Sequence, residues 1–133
     1  MGIVVGYVAN PEGRAALGRA GEAAVHYAVP LVVVHSRRPG REVDAAEAER
    51  LAEVHESVRA ELTAAGLGHE LREVPDSEDP ADDLILAAEE TGASLIVIGL
   101  RRRTPVGKLI LGASAQRILL DAPCPVLAVK PED

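Results

Sequence analysis

Four short apolar runs, rich in β-branched residues, recur along this chain and dictate most of what it can fold into. They are residues 2–8 (GIVVGYV), 31–36 (LVVVHS), 95–98 (LIVI, ending at Gly99) and 125–130 (PVLAVK). Runs with no polar face fit inner strands of a parallel sheet, covered on both sides. A fifth run, residues 69–74 (HELREV), is more polar and fits a strand near a sheet edge. Between consecutive runs the pattern turns helical, which gives the order β-α-β-α-β-α-β-α-β. Strands that alternate with amphipathic helices predict an α/β fold: a five-stranded parallel sheet with helices on both faces, Rossmann-like and three-layered α/β/α.

The helix boundaries carry their own signals. Asn10 offers an N-cap with Pro11 at the first helical position, and Leu17, Ala20, Ala24, Val25 and Ala28 recur at helical spacing up to Pro30. From Asp44 a second stripe of Leu51, Val54, Val58, Leu62 and Ala65 runs until Gly66 and Gly68 stop it. Asp79-Pro80 starts a third helix, with Ala81, Leu84, Ile85 and Ala88 inward and Gly92 at its end. A fourth runs from about Gly112 to Leu120, with Ala115, Ile118 and Leu119 inward. No repeat or linker interrupts the order, so residues 1–133 are expected to form a single domain.

The stretch from Ala93 to Ala115, ASLIVIGLRRRTPVGKLILGASA, carries the sharpest functional signal. A buried strand ends at Gly99, a basic loop with Arg101, Arg102, Arg103 and Lys108 follows, and a helix starts at Gly112-Ala113-Ser114. Exposed backbone N–H groups and the positive end of a helix dipole both favour an anion in such a place. Four of the chain's 14 basic residues lie in this loop, although its net charge is −7 and sixteen of 21 acids fall between Glu42 and Glu90. That acidic surface argues against nucleic acid and anionic membranes as partners. With two Tyr and no Phe or Trp there is no stacking platform for bases either. No apolar run approaches the length of a membrane span, no signal peptide is visible, and the lone Cys124 implies a reduced setting, so a cytoplasmic protein is expected.

Catalytic motifs are missing. The G-x-G-x-x-G fingerprint does not occur, and Gly107-Lys108 lacks the glycine and the hydroxyl of a P-loop, with Arg102 and Leu109 in their places. Val8-Ala9-Asn10 after the first strand offers neither the clustered aspartates of a receiver domain nor the Ser/Thr-rich turn of a flavodoxin. The histidines, His26, His35, His55 and His69, lie in separate elements with no i, i+4 partner, which gives no metal spacing. Cys124 sits between two prolines as a structural thiol. Ser114 reads as a helix-start hydroxyl, since no base accompanies it. The arginine run has a plain alternative to anion binding, a solvated loop.

Taken together, IVVGYVANPEGRAAL, LVVVHS, LIVIG, GLRRRTPVGKLILGASAQRIL and APCPVLAVK resemble the universal stress protein family over nearly the whole chain. The resemblance implies a fold of the adenine nucleotide alpha hydrolase-like kind and a homodimer in which strands around Val126–Val129 pair across a two-fold axis. It also implies a stress-response or regulatory role rather than catalysis. Many members bind ATP through G-x-x-G, nine residues and G-[S/T], with an aspartate closing the first strand. Here Gly99 and Gly112 match, but Arg102 replaces the second glycine, Ala113 the hydroxyl residue and Val8 the aspartate. By the same alignment the backbone of Leu31 and Ile98 flanks an adenine. The implied nucleotide site thus comprises Val8, Ala9, Asn10, Leu31, Ile98, Gly99, Arg101, Arg102, Gly112, Ala113 and Ser114, with no metal ligands. Two readings stay open: a non-catalytic regulatory homodimer with weakened or lost ATP binding, and an adenine-nucleotide-binding module, with slow hydrolysis at most, whose arginines replace the lost contacts.

Overall fold

β-Branched side chains pack well on a pleated surface, and the apolar runs pair accordingly. The structure is a computed structural model that describes residues 1–38, 40, 42–103 and 108–131, with only the backbone for residues 102, 103 and 108–110. Along the chain it forms β1 (Ile3–Gly6), α1 (Pro11–Tyr27), β2 (Leu31–Ser36), α2 (Ala45–Ala64), β3 (His69–Val74) and α3 (Pro80–Thr91). Then come β4 (Leu95–Gly99), β5 (Arg101–Arg103), β6 (Lys108–Ile110), α4 (Ala113–Asp121) and β7 (Val126–Val129). Five strands make one parallel sheet in the order β3-β2-β1-β4-β7. The polar β3 lies at one edge, and β7 at the other.

Alternation along each inner strand divides the core in two. Ile3, Val5, Leu31, Val33 and Val97 pack beneath α1 and α2, against Ala16, Leu17, Ala20, Ala24, Leu51 and Leu62. Val4, Val32, Val34, Ile96 and Ile98 face the other way, towards Ala81, Leu84, Ala87, Ala88 and Ile118 of α3 and α4. Each large aliphatic side chain buried this way contributes about 1.5–3 kcal/mol, and no aromatic core is needed. The fold is the expected three-layer α/β/α, Rossmann-like sandwich.

Asn10, Asp44 and Asp79 cap α1, α2 and α3 with their side chains, while Gly112 caps α4 without one. Several expectations shift in detail. Strand β1 stops at Gly6, although the Tyr7 N–H still donates to the Val34 carbonyl of β2 at 2.8 Å. Ala28 is the left-handed C-cap of α1 (φ 55°) and Val25 is exposed, so the apolar stripe ends at Ala24. Leu119 is 44% exposed, not inward, and only Ile118 of α4 is fully buried. The basic loop contains a short antiparallel ribbon, Arg101↔Ile110, Arg102↔Leu109 and Arg103↔Lys108. Three residues a side are too few for alternation along the sequence to announce a ribbon.

Candidate functional site

The strand order creates one switch point. Chain leaves β1 through α1 towards β2 on one side, and leaves β4 through α4 towards β7 on the other. Helices α1 and α4 cover opposite faces, so the carboxyl ends of β1 and β4 part into the crevice where such sheets take ligands. Two of the segments singled out in the sequence meet there. The backbone carbonyl of Glu12, in the first turn of α1, lies where a Cβ on Gly99 would come within 2.3 Å of it. Gly13 allows the tight turn out of β1 in the same way, since a Cβ there would lie 2.2 Å from the Val8 carbonyl oxygen. Arg101 extends beside Glu12, Nε to Oε2 3.9 Å. Positions 9–12 and 99–101 are therefore side by side on one rim.

Each candidate residue has a definite place. Val8 is 45% exposed and offers no carboxylate. Ala9 packs against the α1–α2 core. The Asn10 carboxamide oxygen is engaged, accepting from the Gly13 N–H at 2.7 Å. Ile98 is buried towards α3 and α4 and pairs with Ala128 of β7. Arg102 lies in β5 opposite Leu109, and its side chain falls outside the described atoms, as do residues 104–107 of the loop. Gly112 holds φ −68° and ψ 169° ahead of exposed Ala113 and Ser114, so the first N–H groups of α4 meet no side-chain cap.

Leu31 is separated from the rest. It pairs with Ile3, which pairs with Leu95, so it lies at the amino ends of the strands and is fully buried. Four residues of strand, about 13 Å, separate that level from Gly99. Parallel register puts Val34, His35 and Ser36 of β2 at the carboxyl rim instead.

Charge at the rim also differs from a simple positive cleft. Ser114, at the start of α4, donates towards Asp79 at 3.5 Å. Arg117, one turn on, pairs with Asp79 at 2.9 Å, with Asp82, and with Asp121 at 3.6 Å. The Ala81 N–H, with Arg117 beside it, holds the Asp79 carboxyl below the usual carboxylate range. Hydrogen bonding to Asp82, then to Asp79, raises the Arg117 guanidinium above its ordinary value. An anion at α4 would have to compete with these carboxylates. Behind them, Asp83 accepts from both Ser36 (2.6 Å) and Ser77 (2.5 Å), which joins the end of β2 to α3. Sequence reasoning missed this acidic wall. Its signal was present in the spacing of Asp79, Asp82 and Asp83 over one helical turn.

A second grouping was also illegible. Three of the four histidines come together on the α2 side of the sheet, beside Tyr7: Tyr7–His35 ring centroids are 4.9 Å apart, Tyr7–His55 5.3 Å and His55–His69 4.9 Å. They stem from the residue after β1 and from β2, α2 and β3, so no local spacing announced them.

Comparison with known proteins agrees with this architecture. The model of the universal stress protein family matches residues 1–130. A universal stress protein of Mycolicibacterium smegmatis is 46% identical over 129 residues, covering 97% of both chains. One from Thermus aquaticus is 37% identical over 128 residues, covering 88% of each. Among solved structures, a universal stress protein from Archaeoglobus fulgidus superposes with a TM-score of 0.70 at 32% identity, covering 98% of each chain. Another from the same organism, solved in complex with dAMP, gives 0.67 at 27% identity and the same coverage. The chain belongs to the universal stress protein family.

Proposed function

We propose that this protein is a non-catalytic, cytoplasmic stress-response homodimer, working as one domain, whose adenine-nucleotide binding is weakened relative to ATP-binding members of its family. The observation that carries this reading is the occupied state of the rim. Ser114 and Arg117 of α4 are turned to Asp79 and Asp82, Arg101 lies beside Glu12, and the exposed Val8 carries no carboxylate. A bound phosphate must displace or face two carboxylates, and Ala113 supplies no hydroxyl in return. Dimerisation through β7 is supported by its place at the sheet edge, with Leu127 39% exposed on it and Leu120 of the preceding α4 also exposed.

The alternative, an adenine-nucleotide-binding module, draws support from the dAMP complex of the Archaeoglobus relative. Under that reading Arg101, Arg102 and the Gly112–Ser114 turn hold the phosphates, and base contacts come from the carboxyl-end residues of β2 rather than from Leu31. Mass analysis of small molecules released from the purified, denatured protein decides between them, with titration by AMP, dAMP and Mg-ATP. A stoichiometric co-purified nucleotide or micromolar affinity establishes the module. No binding at millimolar nucleotide leaves the regulatory dimer.

A further inference from the structure

Away from the switch point, the His55 and His69 imidazoles converge from two rigid elements. Their Nε2 atoms lie 2.9 Å apart, one on α2 and one at the start of β3. Two nitrogen ligands on one transition-metal ion, each about 2.0–2.1 Å from it at 90–109°, stand ~2.9–3.4 Å apart. We propose that His55 and His69 form a site for one divalent transition-metal ion, bound through both Nε2 atoms. Among the described residues no third His, Cys, Asp or Glu joins them, so water completes the coordination and the ion is exchangeable.

The two rings sit with centroids 4.9 Å apart, tilted by 38° and only partly exposed. A metal takes both as neutral imidazoles, so its binding releases protons and weakens as pH falls. Four elements face the pair. From α2 itself come Glu56 and Arg59, which bind each other (Arg59 Nη2 to Glu56 Oε1 2.5 Å) and so balance their charge locally. Just after β1, Tyr7 stands edge-on to His55 and fixes its ring; from β2, His35 lies beyond Tyr7 and is engaged by Glu73 of β3 at 3.2 Å. An N-bonded site of this kind takes Cu(II) most tightly, then Zn(II).

Calorimetric titration of chelator-treated, tag-free protein with Cu(II), then Zn(II), tests the site. The expected result is one equivalent, tighter for Cu(II), weakened by about tenfold or more in His55→Gln and in His69→Gln, and unchanged in His26→Gln. Cu(II) should also broaden the NMR signals of His55, His69 and Tyr7 in the unaltered protein while sparing His26, a reading that needs no variant to fold. Absence of binding, or binding that neither substitution weakens, or broadening centred on His26, overturns the proposal and leaves the pair as a hydrogen bond between two imidazoles.

Discussion

Gly99 and Gly112 look alike in the sequence, as two glycines flanking one loop, yet the structure sets them opposite tasks. A Cβ at Gly99 would lie 2.3 Å from the Glu12 carbonyl oxygen and 2.7 Å from its carbon, whereas one at Gly112 would meet nothing within 4 Å among the described residues. Non-bonded heavy atoms settle near 3.5–4.0 Å, so alanine at 99 forces α1 and β4 apart by about 1 Å. The obstacle is backbone, so the cost falls at the top of the overpacking range, about 3 kcal/mol. For a chain of this size that lowers the thermal midpoint by roughly 8–15 °C. Gly112→Ala keeps an allowed backbone (φ −68°) and loses only the cap preference, about 0.5–1 kcal/mol. Thermal and urea unfolding followed by far-UV circular dichroism compares the two. Equal losses, or a Gly99→Ala loss under about 1 kcal/mol, would refute the seating of α1 against the end of β4 and with it the shared rim.

Further expectations follow from the rim charges and the sheet edge. Asp79→Asn keeps an α3 cap but removes a charge, and should tighten AMP or dAMP binding by about threefold, the repulsion of unit charges ~7 Å apart in water; unchanged or weaker binding in calorimetry would show that Asp79 does not oppose the ligand. Because Asp79 titrates below its ordinary range, its contribution to stability is full above about pH 4 and lost only as pH falls through the lowered value. Urea midpoints of wild type and Asp79→Asn should therefore converge only in strong acid. Arg102→Gly separates the two functional readings: affinity falls if the guanidinium holds phosphate, rises if it blocks the loop, and stays constant if it does neither. Leu127→Arg, at the outer edge strand, should convert a dimer to a monomer in analytical ultracentrifugation; wild type sedimenting as one chain, or an undisturbed dimer in the variant, would count against pairing through β7.

Much of the fold was legible because its signals are local. LVVVHS and LIVIG each state their own burial, Asn10-Pro11 and Asp79-Pro80 state where helices begin, and the polar HELREV states that it belongs at an edge. The candidate site was only partly legible. Gly99, Asn10 and Gly112 are found where the chain turns, and turns have local grammar. Leu31 lies at the end of the sheet opposite the rim, a placement that strand register decides and the local sequence of β2 does not state. The acidic wall on α3 was overlooked because Asp79 and Asp82 gain their meaning from Arg117, 38 and 35 residues away in the chain.

By itself, then, the sequence determined the alternation of strands and helices, the aliphatic two-sided core and the absence of a recognisable catalytic set. The tertiary structure decided the strand order, the end of the sheet at which each residue lies, the tie between α4 and α3, and the meeting of His55 with His69. The division has one physical cause. Periodicity and capping are set by neighbours within a turn or two, while strand register and helix docking are fixed by contacts between segments far apart in sequence.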